Sequence, residues 1–180
     1  MIRPYKNLEV ILSELEMLDI NYRKLISLKI CGKSLYDVSA TIEGLKNLNL
    51  GEFIFVDKFL PEEQFFDELK NFDFLLISHS SSSGSGLISV ATSLGIPIIA
   101  SKIPTFENFI ANYECGIIFD QSKNGDLSRV IMNLLSDKKM VNRFKLNAQK
   151  TKNLVPTWED YAIKIIRACD VLTAERVNDK

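Results

Sequence analysis

The chain has 180 residues, 46% hydrophobic and 25% charged, and at this length folding can hide roughly 70% of the surface an unfolded chain exposes, enough for a core without disulfide or metal staples. Lysine plus arginine total 22 against 23 acids, a net charge of −1, which weighs against nucleic acid as a partner. Cys31, Cys115 and Cys169 lie far apart and the chain has one histidine, so no zinc cluster, disulfide framework or other metal or cofactor is expected, and a reducing, cytoplasmic setting fits.

At the start, Met1-Ile2-Arg3-Pro4 lacks the apolar stretch of a signal peptide, and no apolar run further on is long enough for a transmembrane segment. The first clear period is helical: Leu8, Ile11, Leu12, Leu15 and Leu18 recur at intervals of three and four, with Glu9, Glu14 and Glu16 on other faces. Short apolar stretches follow at 28–31, 53–56, 74–77, 96–100 and 117–119. None alternates cleanly with polar residues, a pattern that suits strands buried on both faces. Segments long enough for helices lie between them, at about 34–48, 61–72, 86–94 and 104–113, so the order alternates and the sheet is expected to be parallel.

Punctuation agrees with that order. Pro61 before Glu62 and Glu63 reads as a first helical turn, with acids at the positive end of the dipole. Gly95 and Gly116 stand before strands, where glycine commonly ends a helix in the left-handed conformation. Beyond Asn124, Leu127, Val130, Ile131, Leu134 and Leu135 form one helical stripe and Ala162, Ile165, Ile166 and Cys169 another, so the C-terminal third reads as helical cover broken at Val155-Pro156, with a frayed polar tail from Glu175 to Lys180. The expected fold is a single α/β domain over 1–180, a Rossmann-like parallel sheet with helices on both faces and a helical C-terminus.

In an open parallel sheet, ligands bind beyond the carboxyl ends of the strands, where loops meet the positive ends of helices. The loop that stands out there is Ser78-His79-Ser80-Ser81-Ser82-Ser83-Gly84-Ser85-Gly86. Its small side chains let a phosphate approach the backbone, its hydroxyls and N–H groups can donate to it, and a helix dipole adds about 0.3 to 1 kcal/mol. The same composition also makes plain flexible loops. Arg3 and Lys6 bring two cations to the entrance of the first helix, and Cys31-Gly32-Lys33-Ser34 forms a turn where glycine allows close backbone approach and Ser34 can cap the next helix. Most lysines are merely solvated, and a glycine often serves the turn alone. His79 has no sequence-adjacent cysteine or carboxylate to pair with and reads as structural.

Taken in order, these segments resemble the C-terminal, donor-nucleotide-binding half of a GT-B glycosyltransferase, close to the retaining nucleotide-sugar enzymes grouped as family 4. The resemblance runs from Ile2-Arg3-Pro4-Tyr5-Lys6-Asn7 to Trp158-Glu159 and rests on four marks besides the cation pair. These are a strand ending in glycine (Leu28-Lys29-Ile30-Cys31-Gly32), a strand with a Phe-Leu-Pro turn (Phe53 to Pro61), the small-residue loop, and the Gly-x-Pro strand entry Gly95-Ile96-Pro97.

The resemblance implies that Lys6, with Arg3, holds the donor diphosphate, that Phe59 and Leu60 lie near the base, and that Ser82, Ser83, Gly84, Ser85 and Gly86 meet phosphates or sugar. Gly32 and Lys33 join the same rim. The family's paired glutamates, eight positions apart, fall on Ser82 and Val90 here, leaving Glu107 as the nearby acid to nominate. The implied partner is a nucleotide sugar, used in polysaccharide or glycoconjugate synthesis. On this resemblance the N-terminal acceptor domain is expected to lie outside the chain, as in an excised domain, a shortened gene product or a split enzyme. Transfer is then expected to need an N-terminal domain or partner chain, and the apolar face left uncovered could also drive self-association. A noncatalytic interaction subunit, half of a nucleotide-sugar epimerase and a flavodoxin-like flavin binder remain as alternatives.

Overall fold

The computed structural model describes residues 1–81, 86–154 and 158–178, with Trp158 and 171–178 described by backbone alone. A 3-10 turn, Pro4–Lys6, leads through Asn7 into α1, Leu8–Glu16. Proline suits the first position of that turn, since its missing N–H would find no partner there. Leu8, Ile11 and Leu15 form the buried stripe of α1 that their spacing predicts, but Glu14 is buried with them. Its carboxylate accepts from Gly125 N at 2.8 Å and Ser128 N at 2.9 Å, capping a helix more than a hundred residues further on.

After the short helix α2 (Ile20–Arg23), capped by Asp19, strands and helices alternate: β1 Ser27–Cys31, α3 Ser39–Asn47, β2 Glu52–Val56, α4 Glu62–Leu69, β3 Leu75–Ile77, α5 Gly86–Leu94, β4 Ile98–Ser101, α6 Pro104–Tyr113 and β5 Gly116–Phe119. Then come α7 Asp126–Ser136, α8 Lys138–Thr151 and α9 Trp158–Asn178. Every strand pairing is parallel. β1 pairs with β2, and β4 lies between β3 and β5. The pairing is interrupted between β1 and β3, so the described residues form two sheets, and an isolated parallel bridge joins Ile2 to Ser34 just beyond β1.

Successive strand residues face opposite sides, and helices cover both. Leu69 of α4, Ala91 of α5 and Phe106 and Ile110 of α6 bury with Ile77, Ile98 and Ala100. On the opposite face Ile99 and Phe119 pack with Leu127 and Val130 of α7, and the Ile30 side of β1 packs with α1 and α3. Burial on both faces holds for β4, all of whose residues are buried. It does not hold for β2, an edge strand whose residues are exposed or half-buried.

Several sequence expectations are corrected. α3 starts at Ser39, where Asp37 accepts from Ser39 N, so Ser34 caps nothing; its own N–H donates to Asp57 instead. Pro61 is the residue before α4, not its first turn. Gly95 does end α5 with φ +67°, but the left-handed residue closing α6 is Glu114; Gly116 is required for another reason, because a Cβ there would lie 2.1 Å from Ile98 O on the neighbouring strand. The stripe Ala162, Ile165, Ile166 and Cys169, expected as cover, is exposed. The helix continues past Glu175 to Asn178, while Val155-Pro156 lies outside the described residues. No helix among the described residues is long and apolar enough to cross a membrane.

Candidate functional site

Parallel pairing puts the carboxyl ends of the strands on a common side within each sheet, and the N-terminal segment, stitched to the loop after β1 and to the loop after β3, joins the two ends into one rim. Ile2 N donates to Lys33 O at 2.8 Å and Leu35 N to Ile2 O at 2.9 Å, tying the segment to the loop after β1. On the other side Ser80 N donates to Tyr5 O at 2.8 Å and Ser78 Oγ to Lys6 O at 2.6 Å, tying it to the loop after β3. The helix-entry lysine and the start of the serine-rich loop therefore meet, although 72 positions separate them. Gly32 makes the crossing possible: its φ is +146°, and a Cβ would lie 3.3 Å from Ile2 Cγ1 and 3.4 Å from Met1 N.

Lys6 is half-buried and Arg3 exposed. Burial first and the Arg3 charge second lower the pKa of Lys6, so the turn concentrates positive charge. Among the described residues neither cation is ion-paired, whereas Lys33, across the rim, reaches Asp57 Oδ2 at 3.4 Å. Asp57 Oδ1 also accepts from Ser34 N at 2.6 Å; that backbone bond, more than Lys33, keeps its carboxyl below the usual range. Phe59, 64% exposed, and Leu60, half-buried, follow β2, one strand further out than Gly32. Gly86 is the first residue of α5 and Glu107 is half-buried in the first turn of α6, both at helix starts facing this rim. Ser82, Ser83, Gly84 and Ser85 lie outside the described residues.

His79, read from sequence as structural, proves central to the rim. Its ring lies edge-on to Tyr5, centroids 5.1 Å apart, and tilted against Phe106 at 5.8 Å, while its carbonyl accepts from Ser101 Oγ at 2.6 Å. Tyr5, Phe106, Ser101 and Asp57 also escaped the sequence reading, because each acts through a partner remote in the chain. Two shallow hollows, bordered by Phe72, Pro97 and Gln149 and by Tyr113, Glu114 and Thr151, lie at the opposite, amino-terminal side of the strands and away from these groups. Among the described residues no cluster of histidine, cysteine or carboxylate could hold a metal.

The family described as "Glycosyl transferases group 1" matches residues 1–151. The chain belongs to that family. No curated protein matches this glycosyl transferase chain. Solved structures do. Sucrose-phosphate synthase from Thermosynechococcus elongatus is 18% identical with a TM-score of 0.70 over 96% of this chain and 44% of its own. WaaG, a glycosyltransferase involved in lipopolysaccharide biosynthesis, is 17% identical with a TM-score of 0.72, over 94% of this chain and 44% of its own. Anabaena HepE in complex with UDP is 14% identical with a TM-score of 0.71, over 96% and 46%. The GT-B resemblance expected from the sequence is thus a shared fold, and this group 1 glycosyl transferase chain spans less than half the length of those three structures.

Proposed function

We propose that this chain is the donor half of a glycosyltransferase, holding the diphosphate of a nucleotide sugar at the carboxyl rim beside Lys6, for transfer of the sugar to a polysaccharide or glycoconjugate acceptor. The observation that carries the reading is the joining of Lys6 to Ser78 and of Tyr5 to Ser80, which sets a cation without an ion-pair partner among the described residues beside the start of the serine-rich loop. Group 1 membership and the UDP held by HepE, a structure of the same fold, support it. Lys6 and Arg3 supply charge that stabilises a departing nucleoside diphosphate, and Phe59 offers a ring to the base. Acceptor recognition falls to a domain or partner chain that meets this one.

Lys6→Ala tests the reading. Removing one cation from a diphosphate site weakens binding roughly tenfold or more. Titration calorimetry with UDP, GDP and ADP is expected to show weak binding of at least one, reduced in Lys6→Ala. Absence of heat at millimolar ligand would overturn the donor-site reading. One observation favours a second reading, an interaction subunit that keeps the fold without donor binding: Val90, at one of the family's paired acid positions, packs partly buried beside the Ala91 core and offers no hydrogen bond to a ribose hydroxyl. Association with an N-terminal-domain partner without transfer activity in the mixture would select it.

A further inference from the structure

Three buried side-chain polar atoms lack a hydrogen-bond partner among the described residues: Ser34 Oγ and both ring nitrogens of His79. Buried polar groups in folded proteins are nearly always paired, so such exceptions call for an explanation. Both residues stand on the carboxyl rim, one beyond β1 and the other beyond β3, on either side of the segment that carries Lys6. His79 is 4% exposed. Held between Tyr5 and Phe106, with its carbonyl fixed by Ser101, its ring is buried and well placed, yet its nitrogens bond to nothing among the described residues.

The charges around it explain why the ring carries no extra proton. Lys6, in the turn packed against it, is the charge that acts on the imidazole, and it repels a proton. On α6, Glu107 follows Phe106 but forms no hydrogen bond or ion pair with the ring, and beyond β4 Lys102 is drawn instead toward Asp120. Its neighbours Ser78 and Ser80 are uncharged. Burial and Lys6 together hold the imidazole down to about 4, so near neutral pH it is uncharged. A nucleotide sugar carries two negative charges on its diphosphate, and seating them against Lys6 would reverse the sign of the local field.

We propose that His79 is a proton-accepting member of the anion site: neutral and unpaired while the rim is empty, and an imidazolium donating a hydrogen bond to the diphosphate once a nucleotide sugar is held against Lys6. The proton comes from solvent, so binding is coupled to uptake of up to one proton and tightens as pH falls. This rests on the donor-site reading above. A diphosphate diester does not itself titrate in the working range, so a nucleotide sugar is a cleaner probe than a free nucleoside diphosphate.

The chain has one histidine, which makes the experiment unambiguous in a tag-free protein labelled with ¹⁵N-histidine. UDP-glucose, GDP-mannose and ADP-glucose are titrated in parallel at pH 6.5 while the imidazole nitrogens are observed, and affinity is measured between pH 8 and pH 5.5. Neutral-ring signals should convert to imidazolium signals on binding, and affinity should rise about tenfold toward low pH, one pKa unit corresponding to a tenfold change. In His79→Phe, which keeps a ring between Tyr5 and Phe106, and in His79→Gln, the pH dependence should vanish. Binding that Lys6→Ala weakens but that leaves the ring neutral overturns the proposal while sparing the donor site. So does pH dependence that survives in both variants. No binding of any of the three nucleotide sugars overturns both.

Discussion

His79 taxes the empty protein in acid, and the sign follows from its surroundings. Its folded pKa is pulled down to about 4 by burial first and Lys6 second, whereas an unfolded chain would protonate it near 6.5. Between those values the unfolded state binds the extra proton, so stability is full above about pH 6.5 and declines as pH falls toward 4. The loss should come to about 1 to 2 kcal/mol, less than the full linkage value because water at the rim screens part of the charge. Urea denaturation across that range should show the midpoint falling in the native protein and staying flat in His79→Phe; equal slopes would remove His79 as the cause. Lys6 and the serine-rich loop were legible as candidates from their residue types. Their meeting was implied by the family resemblance alone and not by the residues, since it runs through Tyr5 and Lys6 carbonyls that accept from Ser80 and Ser78. Glu14 shows the same blind spot: its helical spacing assigns it to solvent, and only Gly125 and Ser128 reveal it as a buried cap.

Elements were easier to read than their ends. The apolar runs at 53–56 and 117–119 are strands within a residue, and Gly86–Leu94 and Pro104–Tyr113 are helices over the ranges expected from their length between apolar runs, because runs and the gaps between them are local properties. α2 and the Pro4–Lys6 turn leave no signal in the sequence because each is about one turn long and shows no period, and the division of α7 from α8 at Asp137 is not marked in the helical stretch before Val155-Pro156. Gly116 illustrates how a correct signal can carry the wrong cause. A glycine before an apolar run suggests a helix stop, yet the left-handed position belongs to Glu114 and the glycine serves the β4–β5 approach, where Ile98 N also donates to Cys115 O at 3.1 Å. Gly116→Ala would press a methyl into the Ile98 peptide, backbone that cannot turn aside as a side chain can. It is expected to cost about 3 kcal/mol in equilibrium unfolding, the range of overpacked core positions. A loss below about 0.5 kcal/mol would mean that the strands separate without penalty.

At the scale of the whole molecule, the interrupted sheet divides the core unevenly. β4 pairs on both edges and is covered on both faces, Ile98 and Ala100 facing α5 and α6 while Ile99 faces α7 with Phe119. Among the described residues β2 pairs only with β1 and is exposed or half-buried throughout, and α9 presents Ile163, Ile165 and Ile166 to solvent. Alternation of strand and helix made the parallel direction legible, but the break between β1 and β3 left no trace in the sequence, because pairing across that gap depends on partners rather than on period. Protection from hydrogen exchange should follow this division, since amides open locally wherever few buried contacts hold them. Amides of β4 are expected to exchange last, at the rate set by global unfolding. Those of β2 should exchange earlier through opening of the β1–β2 pair, and those of 159–170 in α9 earliest. Mass spectrometry of peptides covering 98–101, 52–56 and 159–170 measures all three in a single time course. If the β2 peptide were protected as long as the β4 peptide, the two sheets would open as one cooperative unit, and the Ile2–Ser34 bridge with the Tyr5 and Lys6 contacts would be strong enough to join them across the gap.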